Sequence, residues 1–246
     1  MKDVSENFST FYKSFFEKKI DNALALTAKL DDNSKNEFAK KVKEFDDEVE
    51  EYSRKIGEAV GQINEIEKEE KSLREEGLTE LDRQINEIKS TIAGIDEKLN
   101  GSDENKLSET ETRLKAIKKA LEGYLAKYER KKADSVTILS ETEVFKNSFF
   151  SHESGSEEKP GDNPEKSPGD NPVEIIRSAT SQVKEVVKVL TKDIIKFGLF
   201  LGRLKEFGAK LKDFLKRNTG KVESLISEAK VIIDGLSPMS ALSKKL

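Results

Sequence analysis

Hydrophobic positions along this chain recur at steps of three and four over most of its length, the spacing of one face of an α-helix. The clearest run falls at Leu78, Leu81, Ile85, Ile88, Ile92, Ile95 and Leu99. The pattern resumes at Leu107, Leu114, Ile117, Leu121, Tyr124 and Tyr128 after a polar stretch at Asn100-Gly101-Ser102-Asp103. Each arm spans roughly 33 Å at about 1.5 Å per residue. The two arms read as an antiparallel coiled-coil hairpin over 78–128, with Gly101 as a left-handed C-cap and Ser102 or Asp103 capping the return helix. Antiparallel partners keep a constant index sum. Leu99/Leu107, Ile92/Leu114, Ile85/Leu121 and Leu78/Tyr128 share one such sum, about 206, which predicts that Ile92 faces Leu114.

Upstream, Phe8, Phe11, Tyr12, Phe15, Phe16 and Ile20 crowd one face of a helix predicted over 3–30. Asp31-Asp32-Asn33 interrupts it, and Ser34-Lys35-Asn36-Glu37 has the form of a capping box that restarts it. Phe38, Val42, Phe45, Val49, Tyr52, Ile56, Val60 and Ile63 follow, then Ile66 and Leu73. The apolar phase shifts between Leu73 and Leu78, which predicts a kink or short break near Gly77.

The helical signal fades from Ala133 to Phe150. Residues 134–172 therefore read as a linker, disordered from about 151, where Pro160-Gly161-Asp162-Asn163-Pro164 recurs as Pro168-Gly169-Asp170-Asn171-Pro172. Two copies are too few for a repeat fold and read as a spacer. Beyond it, Ile176, Ala179, Val183, Val186, Leu190, Ile194, Phe197, Leu201, Leu204, Leu211 and Leu215 mark another helix. Asn218-Thr219-Gly220 is expected to end it, with a shorter helix from Val222 to Leu236. The fold class is thus all-α: an elongated helical bundle with a coiled-coil hairpin, a disordered Pro/Gly spacer and C-terminal helices. Its regions are 1–133, a helical coiled-coil region, the linker, and 173–246, a basic amphipathic helical region.

Composition narrows the function. Charged residues make up 37% and hydrophobic residues 35%, which suits long helices with narrow seams better than a wide core. Cysteine is absent, so disulfides, thiolate metal ligands and thiol catalysis are excluded. The single histidine, His152, sits beside the linker and reads as a solvated residue. The chain contains no Gly-rich phosphate loop, HExxH or EF-hand loop, and its acidic pairs follow from abundance. An enzyme is not expected, nor is a cofactor or metal. Met1-Lys2-Asp3-Val4-Ser5 lacks an apolar signal core. The expected setting is cytoplasmic if that start is native, and secreted or surface-attached if a leader has been removed.

The formal charge of −4 conceals an asymmetry, because residues 173–246 carry 15 Lys and Arg against 8 Asp and Glu. Within that basic segment lies the one stretch with a candidate activity: Ile194, Phe197, Phe200, Leu201, Arg203, Leu204, Lys205, Lys210, Lys212, Lys216 and Arg217, apolar on a wide face and basic on the other. Such a surface suits a groove on a protein partner, self-association through helices, or an anionic membrane interface. Nucleic acid is disfavoured, since no stacking aromatics or reading motif accompany the lysines and the acidic body repels phosphate. The expected function is a non-enzymatic coiled-coil interaction or scaffold protein that binds a protein partner through long helical surfaces. The alternative is a membrane-active helical protein (surface binding, remodelling or pore formation) using the basic amphipathic helix 194–217.

Overall fold

The computed structural model describes residues 18–100, 108–155 and 171–235, and these are almost entirely helical, with no strand among them. The protein is an all-α bundle. Helix α1 covers Lys18–Leu26 and ends in a 3-10 turn at Thr27–Lys29. Helix α2 covers Asp32–Ser72, a π-helical turn follows at Leu73–Leu78, and α3 covers Thr79–Leu99. Helix α4 covers Glu109–Gly155 and α5 covers Pro172–Gly235. The phenylalanine-rich positions 8–16, the hairpin turn at 101–107, the bulk of the Pro/Gly spacer and the Ser237-Pro238 stop lie outside the described residues.

Local chemistry sets the helix starts. At α2 the Ser34 backbone N–H donates to Asp31 Oδ1 at 2.7 Å, so Asp31 is the N-cap. That hydrogen bond holds the Asp31 carboxyl below the usual carboxylate range. The helix accordingly starts before Ser34, and the Ser34–Glu37 box is interior rather than initiating. At α4 the cap is Ser108; Ser102 and Asp103, the expected caps, lie outside the described residues. The Ser108 N–H and hydroxyl both donate to Glu111 Oε2 at 2.8 Å, and the Glu111 N–H returns to Ser108 Oγ at 3.3 Å, closing a capping box. At α5 Asn171 Oδ1 accepts the Val173 N–H at 3.1 Å, with Pro172 in the first helical position.

One row of buried side chains falls at steps of seven: on α2 Phe38, Phe45, Tyr52, Ala59, Ile66 and, in the π turn, Leu73; on α3 Leu81, Ile88 and Ile95, with Ile63, Glu70, Gln84, Ile85 and Thr91 buried beside it. Between Leu73 and Leu81 the step is one residue longer. The π turn, with its wider i→i+5 bonding, takes up that residue without breaking the helix. The phase shift in the sequence is real, then, and its structural form is a π turn within continuous helix. Gly77 lies in it, and a Cβ there would stand 2.8 Å from Leu211 Cδ2.

Two compact units are present, and both α2 and α5 contribute to each: residues 1–65 with 151–202, and residues 66–150 with 203–246. In the first, α5 runs in the same direction as α2. Arg177 pairs with Glu37 at 3.5 Å and Lys184 with Glu48 at 3.4 Å. The resulting index difference, about 138, sets buried Phe38 level with Ile176, Phe45 with Val183, Tyr52 with Leu190 and Ala59 with Phe197. Ala59 sets a small residue opposite the large Phe197, which helps fill the seam densely.

In the second unit α3 and α4 are antiparallel and α5 lies along both. Lys118–Asp96 at 2.5 Å, Lys132–Asp82 at 2.6 Å, Lys89–Glu129 at 2.7 Å and Lys146–Glu70 at 2.8 Å bridge the arms. Their index sums cluster near a value of about 216, which corrects the expected register by roughly ten residues. Ile88 now lies level with Tyr128 and Ile95 with Leu121, all four fully buried, while Ile92 is half-buried and does not face Leu114. Helix α5 closes this unit through Arg83–Glu223 at 3.0 Å and Arg113–Glu228 at 2.5 Å. The Tyr128 ring also meets Phe214 edge-on at 4.9 Å between centroids.

Two further expectations are corrected. Residues 134–155 are helix, not linker, and Ser135, Ile138, Leu139 and Thr142 are buried. The Ser135 hydroxyl donates to Lys131 O and that of Thr142 to Ile138 O, both at 2.8 Å, so the buried oxygens are satisfied inside the helix. Asn218-Thr219-Gly220 does not end a helix either. Asn218 Nδ2 donates to Phe214 O at 2.7 Å, Thr219 Oγ1 lies 3.4 Å from Tyr128 Oη, and α5 continues to bury Val222, Ile226 and Ala229.

Candidate functional site

Helix α5 carries every residue singled out as a candidate surface, and the two units divide them: Ile194, Phe197, Phe200 and Leu201 belong to the first, Arg203 through Arg217 to the second. Ile194, Phe197, Phe200 and Leu204 are buried and Leu201 is half-buried. These apolar side chains are core, facing inward within their own units. Among the basic residues, Arg203 pairs with Glu141 at 2.8 Å, Lys210 with Glu206 at 2.6 Å and Arg217 with Asp213 at 3.2 Å. Lys205, Lys212 and Lys216 are exposed. The structure therefore does not gather the eleven residues into one face.

A different set does share a face. In the first unit, Val189 (56% exposed), Ile195 (58%) and Leu199 (69%) stand outward, opposite the buried side of α5. Exposed Lys192 lies between Val189 and Ile195, and exposed Gly202 one turn past Leu199. Steps of three or four join these positions into a single stripe. Lys188 and Lys196 flank it, held by Glu185 at 3.5 Å and Asp193 at 2.8 Å. Nothing lies within 4 Å of a Cβ placed at Gly202. The signal for this stripe is present in the sequence: Ile195 and Leu199 fall out of phase with the Leu190–Ile194–Phe197–Leu201 row.

The second unit holds the densest charge clusters. Arg83 is gripped by Glu80 at 2.7 Å and by Glu87 and Glu223 at 3.0 Å, and the hydrogen bonds it donates to Glu80 and Glu223 push its pKa further up. Burial alone would raise the Glu70 carboxyl, but hydrogen bonds from Lys146 at 2.8 Å and Arg74 at 3.0 Å outweigh it and the net shift is downward. Burial pushes the Tyr128 phenol up. A recess open to solvent near the ends of the α3 and α4 arms is lined by Asp96, Leu99, Lys115, Lys118, Lys119 and Glu122. Lys118 bridges Asp96 and Glu122 there, and the Asp96 bond raises its pKa. Each cluster pairs opposite charges and acts as a clip between or along helices. His152 falls in the last turns of α4 rather than in a linker.

Among the described residues no group of three or more His, Asp or Glu side chains could hold a metal ion, and no helix is long and apolar enough to cross a membrane. Comparison with protein-family models, with curated proteins and with solved structures finds no match to this chain.

Proposed function

We propose that this protein is a non-enzymatic coiled-coil interaction protein that binds a protein partner through outward helical surfaces. The observation that supports this is the outward placement of apolar side chains on helices whose inner seams are already filled. Val189, Ile195 and Leu199 on α5, Val136 and Val144 on α4, and Val231 near the α5 end are all exposed. Burying such side chains is favourable by roughly 1.5–3 kcal/mol each when complete, and a single chain leaves that gain unused. A partner helix that adds one more seam collects it, which is how helical grooves recognise helices. The membrane-active alternative gains no support from the basic helix, because the wide apolar face it needs from Ile194, Phe197, Phe200 and Leu204 is turned into the bundle.

The test is affinity capture by the full chain from extract of the source cells, followed by calorimetry of each captured protein, purified, against the chain. Saturable one-site binding by a purified protein is the expected result. If no purified protein binds saturably, the reading fails.

A further inference from the structure

We propose that the outward stripe Val189–Lys192–Ile195–Leu199–Gly202 of α5 is the docking face for an acidic amphipathic helix of a partner protein. The inference rests on the partner-binding reading above and names where on this chain, and with what chemistry, it acts.

The stripe is roughly 20 Å long, about four turns of helix. Its three apolar side chains are more than half exposed, and together they offer on the order of 300 Å² of apolar surface, the size at which a patch on a monomer is commonly functional. Residues at steps of three and four are the anchors that a second helix packs against. Gly202 at one end leaves room for close backbone approach, since nothing stands within 4 Å of a Cβ there.

Charge selects the occupant. Lys188, Lys192 and Lys196 recur every four residues along the stripe. Glu185 and Asp193 hold Lys188 and Lys196, whereas no carboxylate among the described residues pairs with Lys192, which stands on the stripe itself. A partner helix with leucine or isoleucine at heptad spacing and glutamate alongside would bury Ile195 and Leu199 and set a carboxylate against Lys192. A second copy using the same stripe would bring these lysines against one another, because a two-fold contact is self-complementary. A lipid surface is a poor match as well, because an interfacial helix needs a broad apolar arc and here a lysine interrupts a narrow one.

The experiment titrates the full-length chain into a fluorescently labelled designed helix of 21 residues, with leucine at the seam positions and glutamate beside them. A scrambled peptide and a version with lysine replacing glutamate serve as comparisons. Binding should be read by anisotropy, and amide shifts should concentrate in residues 186–202. The double variant Ile195→Glu/Leu199→Glu should weaken binding at least tenfold while leaving the thermal midpoint in place, since both side chains are exposed. Lys192→Glu should weaken the acidic helix and strengthen the lysine version, a charge swap that mere unfolding would not produce. Ala126→Glu, at an exposed position of the other unit, should change nothing. Equal binding of the scrambled peptide, or unaltered binding by the double variant, overturns the proposal. So does sedimentation velocity showing a dimer that the double variant abolishes, which assigns the stripe to a second copy. Stripe-dependent pelleting with phosphatidylserine vesicles overturns it in favour of lipid. If a partner identified by capture binds the double variant with full affinity, the docking face is wrong while partner binding stands; if no partner exists, partner binding itself falls.

Discussion

Replacing Gly77 by alanine sets two well-calibrated effects against each other at one atom. In an exposed helix interior the change stabilises by about 1 kcal/mol, because glycine has the larger conformational freedom to lose. At Gly77 the new methyl would lie 2.8 Å from Leu211 Cδ2 and 3.2 Å from Leu73 Cδ1, both on buried side chains. Overpacking of this kind costs about 1–3 kcal/mol. The expected net change is a loss of about 0–2 kcal/mol, where propensity alone would give a gain. Gly123 provides the reference, since it lies within α4, is exposed and has nothing within 4 Å of its Cβ position. Gly123→Ala should stabilise by about 1 kcal/mol, so the two variants should differ by about 1–3 kcal/mol, or several degrees in thermal midpoint.

A third measurement isolates the cause. Leu211→Ala alone should cost about 2–5 kcal/mol by leaving a cavity. Adding Gly77→Ala to it should recover stability, because the methyl then enters vacated space. The coupling of the pair should be favourable by about 0.5–3 kcal/mol. Urea denaturation of the four proteins, followed by circular dichroism, supplies the numbers. Should Gly77→Ala stabilise the otherwise unaltered chain as much as Gly123→Ala does, the close approach of Leu211 to the π turn would be refuted.

The other expectations concern register, continuity and charge. Ile88→Asp, which buries a carboxylate at a fully enclosed seam position, should cost more than about 4 kcal/mol, whereas Ile92→Asp, half-buried, should cost clearly less; equal losses in urea would restore the alternative register. Gly220→Ala should raise the thermal midpoint by a few degrees, since Gly220 is an exposed interior position of α5, and a lowered midpoint would mean that the helix ends there after all. Tyr128→Phe should cost about 0.5–1.5 kcal/mol by removing the hydroxyl that meets Thr219, measured as the shift in urea midpoint, and no change would deny that bond a role. Glu70 has a folded-state pKa below its unfolded value, so the stability it contributes is complete above about pH 4.3 and is lost as pH falls through the folded value. Glu70→Gln should therefore destabilise at neutral pH by an amount that shrinks as the urea series is repeated towards pH 3, and a pH-independent difference would sink the assignment.

What could be read from the chain follows from how seams are written. Phe38, Phe45, Tyr52 and their counterparts on α5 are large and apolar at every seventh position, and both helices are visible at once. Helix α4 loses that signal halfway, because its row Leu114, Leu121, Tyr128 continues as Ser135 and Thr142. Their hydroxyls bond to carbonyls one turn back, so the row stays buried while its letters turn polar. The hairpin register failed for a different reason. Two arms that repeat every three or four residues match equally well at several offsets, and index sums cannot choose among them. The choice is made by ion pairs such as Lys118–Asp96 and by α5 lying against both arms, and neither is a property of the two arms' apolar spacing. The cap of α4 was legible, since Ser108 and Glu111 have capping-box spacing.

The candidate surface takes its apolar residues from one of two rows that α5 carries. Residues 189–204 of α5 are apolar on opposite sides, and breadth of that kind arises in two ways. Either the whole arc meets one medium, as at a membrane, or two narrow seams meet two different neighbours. Phase separates the cases. Ile194 and Phe197 continue the row that begins at Ile176 and Val183 and are buried with it, while Ile195 and Leu199 stand on the far side beside Lys188 and Lys192. A lipid phase would leave no reason for lysines to divide the arc, but a second helical neighbour does, because lysines beside an apolar row are how such seams choose partners. The inner seam is filled by this chain's own helices, and the outer one is where the proposed acidic helix would dock.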